Sequence, residues 1–177
     1  MPRRRLTPSE VREAQLVFGQ GLPYGRVWVH EAARWPNWLA RLGNLLSGSP
    51  PPVTNNSVTI GTSVYFPVPL HTRDTDFEAH VFGDMAWLIH ELTHVWQYQH
   101  SGPAYLTKAL GVQLTKGSGA YDYGGLKGLT KASLEHRSLN DFNPEQQGDI
   151  ARDFYVRLKL GLDKAAWEPF IAELKGV

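Results

Sequence analysis

Leu88-Ile-His-Glu-Leu-Thr-His-Val-Trp-Gln-Tyr-Gln-His100 is the stretch whose reading decides the rest of this chain. Within it, His90 and His94 stand four residues apart in an H-E-x-x-H pattern. On an α-helix, residues with that spacing lie one above the other, so two imidazoles can face one ion. Zinc accepts neutral imidazole nitrogens in a tetrahedral site and keeps one position open when it does chemistry. Glu91 lies beside His90 but is rotated off the ligand face, where a carboxylate can take a proton from the attacking water. The alternative is a pair of core-edge histidines on an amphipathic helix. Context weighs against it. Val81, Phe82, Met85, Leu88, Ile89, Leu92, Val95 and Trp96 recur at helical spacing, which predicts a largely buried helix. Ionisable groups buried on such a helix need a partner, and a metal supplies one.

Working outward, Asp74 or Asp76 is expected to cap this helix, and Gly102-Pro103 to end it. Upstream, Ser57-Val-Thr-Ile60 and Ser63-Val-Tyr-Phe66 read as strand material around Gly61, either a hairpin or one bulged strand. Arg26-Val-Trp-Val-His30 alternates and reads as a further strand. Thr7-Pro8-Ser9-Glu10 is a capping box with Pro at the first helical position, predicting a helix to about Phe18. Trp35, Trp38, Leu39 and Leu42 fit a short helix or an apolar loop, and Ser47-Gly-Ser-Pro-Pro-Pro52 reads as a loop. Downstream, a Gly-rich stretch runs from Gly102 to Asn140, with a helix possible over about 104–114. A connection of that length is usually functional or mobile. Asn143-Pro144-Glu145-Gln146 repeats the cap-plus-proline signature and predicts a helix to about Leu160. Trp167, Phe170, Ile171 and Leu174 predict a short final helix.

Two histidines hold zinc poorly, so the pattern needs a third ligand. His100 completes an H-E-x-x-H-x-x-x-x-x-H spacing like that of metzincins. That arrangement wants glycine where this chain has Gln97, and a methionine turn after the motif. The only methionines are Met1 and Met85. On a straight helix His100 lies roughly 9 Å beyond His94 and about 240° around the axis. It reads better as a helix-end histidine interacting with the dipole. Glu145, in the first turn of a separate helix, would give a His₂Glu site. Its other reading is an acidic residue complementing the positive helix N-terminus, and Glu135 is a weaker substitute. Asp149 falls one turn after Glu145 on the same face, where it can hold the outer nitrogen of His90 or His94. Gly148, between them, costs helix propensity but permits close packing. Tyr121, Tyr123 and His136 are candidates for stabilising a developing oxyanion, though each reads more readily as packing or surface. His30, His71 and His80 show no ligand spacing.

Composition sets the bounds. The chain has 177 residues, 42% hydrophobic and 20% charged, as expected for one folded domain spanning 1–177. A formal net charge of +1 gives no support for nucleic-acid or membrane-surface binding. No apolar run approaches membrane-spanning length. Met1-Pro-Arg-Arg-Arg is basic, but Leu6-Thr-Pro-Ser-Glu follows instead of an apolar run, so no Sec signal peptide is expected. With no cysteine, thiolate metal sites, disulfides and cysteine nucleophiles are excluded.

Ile89-His-Glu-Leu-Thr-His-Val-Trp-Gln-Tyr-Gln99 together with Asn143-Pro-Glu-Gln-Gln147 resembles the zincin-type domain of Vgr-related and Rhs-associated proteins. Similar metallopeptidase domains occur as C-terminal extensions of VgrG spike proteins of bacterial type VI secretion. Phe18-Gly19, Tyr24, Arg26-Val27, Val29-His30, Tyr65-Phe66 and Asp76-Phe77 fit the same pattern. The resemblance implies an α+β, gluzincin-like fold, a small antiparallel or mixed sheet packed on the active-site helix and a second ligand-bearing helix. It implies one Zn²⁺ on His90, His94 and Glu145, with Glu91 as general base for hydrolysis of a peptide bond. It further implies an antibacterial effector, made in the cytoplasm, secreted, and acting in a recipient's periplasm. A VgrG or Rhs secretion component and an immunity protein would be its partners. Two other readings stay open: a zinc amidase acting on peptidoglycan, and a zinc-stabilised, non-catalytic adaptor of a secretion spike. A retained Glu91 speaks against the adaptor, because a structural zinc site gains little from a spare buried carboxylate.

Overall fold

In the computed structural model, residues 3–33, 57–79, 81–102 and 122–176 are described. Local sequence chemistry sets the first elements. A short strand β1 (Arg3–Arg4) leads into helix α1 (Pro8–Phe18), whose capping box is closed in both directions between Thr7 and Glu10. Glu10 is fully buried. Its carboxylate accepts from the Thr7 N–H (2.8 Å), from both terminal nitrogens of Arg4 (2.7 and 2.8 Å) and from the Thr72 hydroxyl (2.6 Å). Those four bonds fill the acceptor capacity of a carboxylate, which is what its burial requires.

The strand expected over Arg26–His30 is shorter, because Tyr24–Arg26 forms a 3₁₀ turn and strand β2 covers only Trp28–His30. The stretch around Gly61 is a hairpin: β3 (Val58–Ile60) and β4 (Ser63–Tyr65) pair antiparallel, with Gly61 in the left-handed region at φ 62°. The sheet order is β1-β2-β4-β3, with β2 and β4 parallel and the other pairs antiparallel. Register puts Arg4, Val29, Val64 and Thr59 in one row across it. Because in-register neighbours share a face, this row points one way. Val29 and Val64 are fully buried. The two polar ends each reach a buried glutamate, Arg4 to Glu10 and Thr59 to Glu91. On the other face, His30 stacks on Tyr65 with ring centroids 4.3 Å apart.

The single helix expected from Asp74 to Gly102 is interrupted. Asp74–Glu78 forms a short helix α2, and α3 runs from Gly83 to Ser101. The break has local causes. Asp76 caps α2 by accepting from the Arg73 N–H (2.8 Å), and Asp84 accepts from the His71 N–H (2.7 Å). Val81 closes back on the Asp76 carbonyl (2.8 Å), so it precedes α3 and does not join its apolar stripe. Gly102, at φ 62°, ends α3 as expected. From Leu88 to Gln97 every residue of α3 is buried, the pattern of a central helix enclosed by its neighbours.

Helix α4 (Gly125–Leu134) lies in the stretch that read as Gly-rich connection. Helix α5 (Pro144–Lys159) follows, with Asn143 and Gln146 forming its capping box, and then α6 (Glu168–Lys175). The core joins α1, α3, α5, α6 and the valine row of the sheet. This is an α+β arrangement with α3 packed against β3 and β4 and against α5. No helix among the described residues is long and apolar enough to cross a membrane. Trp35, Trp38, Leu39, Leu42, His80, Tyr121 and the helix suggested over 104–114 lie outside the described residues.

Candidate metal centre

Helix α3 presents His90 and His94 on one face, their rings 4.9 Å apart and nearly perpendicular. Helix α5 meets that face with its first two turns, bringing in Glu145 and Asp149. All five acidic and imidazole side chains are buried: His90, Glu91, His94, Glu145 and Asp149. Glu145 Oε2 lies 3.3 Å from His90 Nε2 and 3.7 Å from His94 Nε2, so one carboxylate oxygen faces both imidazoles. Ligand atoms of His90, Glu91 and His94 also lie within 4.8 Å of one another. A buried His-Glu-His group able to hold a metal ion is therefore present, with a second carboxylate, Glu145, in direct reach of both rings.

The outer nitrogens are held separately. His90 Nδ1 donates to Asp149 Oδ1 at 2.9 Å, and Arg152 bonds the same oxygen at 2.6 Å. Expectation had Asp149 on either histidine, and it is His90 that it meets. His94 Nδ1 instead meets Gln97 Oε1 at 2.8 Å.

These contacts govern the charge of the site. Burial disfavours an imidazolium at position 90, but the hydrogen bonds to Asp149 and Glu145 outweigh it and push the His90 pKa up to about 10. His94 is raised too, against burial, mainly by the Glu145 charge. Burial alone would raise the Glu145 carboxyl, yet His94 and His90 hold it well below the usual carboxylate range. Such a pocket favours positive charge. A divalent cation entering it would replace the imidazole protons. The donor set of two imidazoles with carboxylate oxygen suits zinc.

Glu91 faces the sheet. Ser57 Oγ donates to its Oε1 and Thr59 Oγ1 to its Oε2, both at 2.6 Å. The Trp87 indole, which can only donate, bonds Ser57 Oγ at 2.5 Å and so directs the serine proton to Glu91. Sequence reading missed this clamp. Its signal was the i, i+2 spacing of Ser57 and Thr59, which puts both hydroxyls on one side of a strand.

Gly148 explains how α5 comes so close. A Cβ there would stand 2.7, 2.8 and 2.9 Å from His90 Cε1, Nδ1 and Nε2. The ring is fixed on both nitrogens and cannot give way easily. Gly148→Ala is therefore expected to destabilise the protein by about 1–3 kcal/mol, despite the better helix former, and to weaken metal binding with it. Chemical denaturation and a zinc titration on the same sample check both effects.

The remaining candidates lie apart from these contacts. His100 stacks on Trp96 at 4.2 Å, and its Nδ1 meets the Trp96 carbonyl at 2.8 Å at the exposed helix end. Tyr123 donates its hydroxyl to Asp153 at 2.6 Å and accepts from the Trp167 indole at 3.1 Å. Glu135 and His136 are exposed just past α4, His136 at φ 53°. Tyr121 is outside the described residues.

The chain is 30% identical over 155 residues to the type VI secretion system spike protein VgrG2b of Pseudomonas aeruginosa. The chain is thus similar to a segment of a VgrG spike protein. The match takes in 86% of this chain and 13% of VgrG2b, so the chain spans a small part of that relative's length. No family model matches the chain, and no solved structure does.

Proposed function

We propose that this chain is a zinc-dependent peptidase domain with a zincin-like fold, working as an antibacterial effector of type VI secretion. The observation that carries the proposal is the convergence of His90 Nε2 and His94 Nε2 on Glu145 Oε2, beside a separately held Glu91. His90, His94 and Glu145 would hold the ion. When bound, zinc supplies Lewis-acid activation of a water molecule and of the scissile carbonyl. The remaining chemistry belongs to the chain.

Two carboxylates compete for the third ligand position, and their surroundings separate them. Both oxygens of Glu91 accept hydroxyl bonds, one from Ser57 just before β3 and one from Thr59 within it, whereas Glu145 faces both histidines through a single oxygen. Glu91 is therefore assigned as the base. Each of its oxygens keeps a second lone pair. One takes a proton from the attacking water as the carbon–oxygen bond forms. The same proton passes to the amide nitrogen as the carbon–nitrogen bond breaks. Asp149 fixes the His90 ring, as a carboxylate behind a metal-binding histidine does. Strand β3 stands at the end of the sheet order among the described residues, and its outer edge, beside Glu91, is where an extended peptide substrate would pair.

The similarity to VgrG2b supports delivery with a secretion spike, a VgrG or Rhs component and an immunity protein then being the partners. The clamp on Glu91 favours an enzyme over a zinc-stabilised adaptor, since a purely structural site has no use for a positioned spare carboxylate. The zinc-loaded chain is expected to cut an unfolded protein such as reduced casein. A strong chelator should abolish the cleavage and added zinc restore it. Chelator-resistant cleavage, or a protein that retains no zinc, would contradict the proposal.

A further inference from the structure

Gln97 and Gln147 are buried amides, 4% and 6% exposed, between α3 and the start of α5. Amides this deep need their hydrogen bonds, and here the bonds run in one direction only. The Phe142 carbonyl can only accept, so the Gln147 atom 2.9 Å from it is Nε2. Gln147 Oε1 then faces Gln97 at 2.8 Å and needs a donor. The Pro144 carbonyl, 2.9 Å from the same Gln97 atom, needs one too. Only Nε2 of Gln97, with two hydrogens, satisfies both. Gln97 Oε1 is therefore the atom 2.8 Å from His94 Nδ1, and it can only accept. Nδ1 of His94 carries the hydrogen. In the neutral ring the lone pair stands on Nε2, the nitrogen facing Glu145.

We infer that Gln97 and Gln147 are positioning residues that set the tautomer of His94 and tie it to the first turn of α5. Phe142 and Pro144, whose carbonyls anchor the chain of bonds, flank Asn143, the cap of the helix that carries Glu145. The His94 donor atom and the Glu145 carboxylate thus take their places together. An amide does this without adding negative charge to a pocket that already holds Glu91, Glu145 and Asp149. The inference rests on the reading of His90, His94 and Glu145 as a metal site.

The test uses the full chain, labelled with ¹⁵N-histidine and loaded with zinc. Long-range proton–nitrogen spectra, with His94 assigned by its loss in His94→Gln, should show an exchange-protected hydrogen on Nδ1 and the metal on Nε2. A hydrogen on Nε2, or coordination through Nδ1, overturns the inference without any variant being needed. In competition with a chromophoric chelator, Gln97→Met should bind zinc about 10- to 100-fold more weakly, the usual effect of losing such a support. The protected Nδ1 signal should vanish with it. Gln147→Met should lose less, because Pro144 still orients Gln97. Unchanged affinity in Gln97→Met while His94→Gln loses zinc overturns the relay alone. Zinc retained by His94→Gln overturns the metal-site reading and the relay with it.

Discussion

Glu91→Gln should bind zinc as the parent does and hydrolyse peptides about 10²- to 10⁴-fold more slowly, the range that a positioned general base contributes. The substitution changes little in shape, so the buried side chain still fills its place against β3. What it removes is the negative charge that makes the side chain a base. Its amide can accept from one of the Ser57 and Thr59 hydroxyls, while its NH₂ faces the other, so part of the clamp is lost too. Zinc content by elemental analysis and hydrolysis rates on one preparation separate the two properties. Rates equal to the parent's would remove Glu91 from the chemistry and favour an adaptor.

Glu145→Ala should act in the opposite way, losing the metal first. The parent, in zinc about a thousand-fold above its dissociation constant, should gain about 4 kcal/mol of stability from binding. A variant bound about a thousand-fold more weakly would gain only about 0.4 kcal/mol under the same conditions. The zinc-induced rise in melting temperature should therefore nearly disappear in Glu145→Ala and persist in His100→Ala. If His100→Ala loses it instead, the third ligand has been misassigned. Neither substitution removes one of the buried apolar side chains of the core.

Much of this site was legible in residue order because it rests on short-range helical rules. The H-E-x-x-H spacing and its apolar flanks locate α3. Asn143-Pro144 locates the start of α5, and the i, i+4 step from Glu145 reaches Asp149. The capping box at Thr7 and Glu10 forms as read. What residue order hid is where distant elements meet. Nothing local shows that Thr59 shares a row with Val29 and Val64, and so the reach of β3 to Glu91 is a property of sheet register. Gln97 stands three residues after His94, on its face of α3, and in residue order it shows only as a departure from the glycine of the metzincin spacing. Its partners lie across the interface with α5.

Two misreadings have plain causes. The apolar pattern carries through Val81 and Phe82, so it suggested one helix where hydrogen bonds of Asp76 and Asp84 make two. Gly124, Gly125 and Gly128 spoke for a connection, yet α4 forms there by burying Leu129 and Ala132. Tertiary burial outweighed propensity.

In the proposed site His90, His94 and Glu145 would hold a metal while Glu91 stands beside it as the base. Anomalous diffraction at the zinc edge, from crystals of the zinc-loaded protein, tests it most directly. One peak is predicted, bonded by His90 Nε2, His94 Nε2 and a Glu145 carboxylate oxygen, with Glu91 outside bonding distance and still clamped by Ser57 and Thr59. A peak ligated by Glu91 or His100 in place of Glu145, or no peak at the His pair, would contradict it.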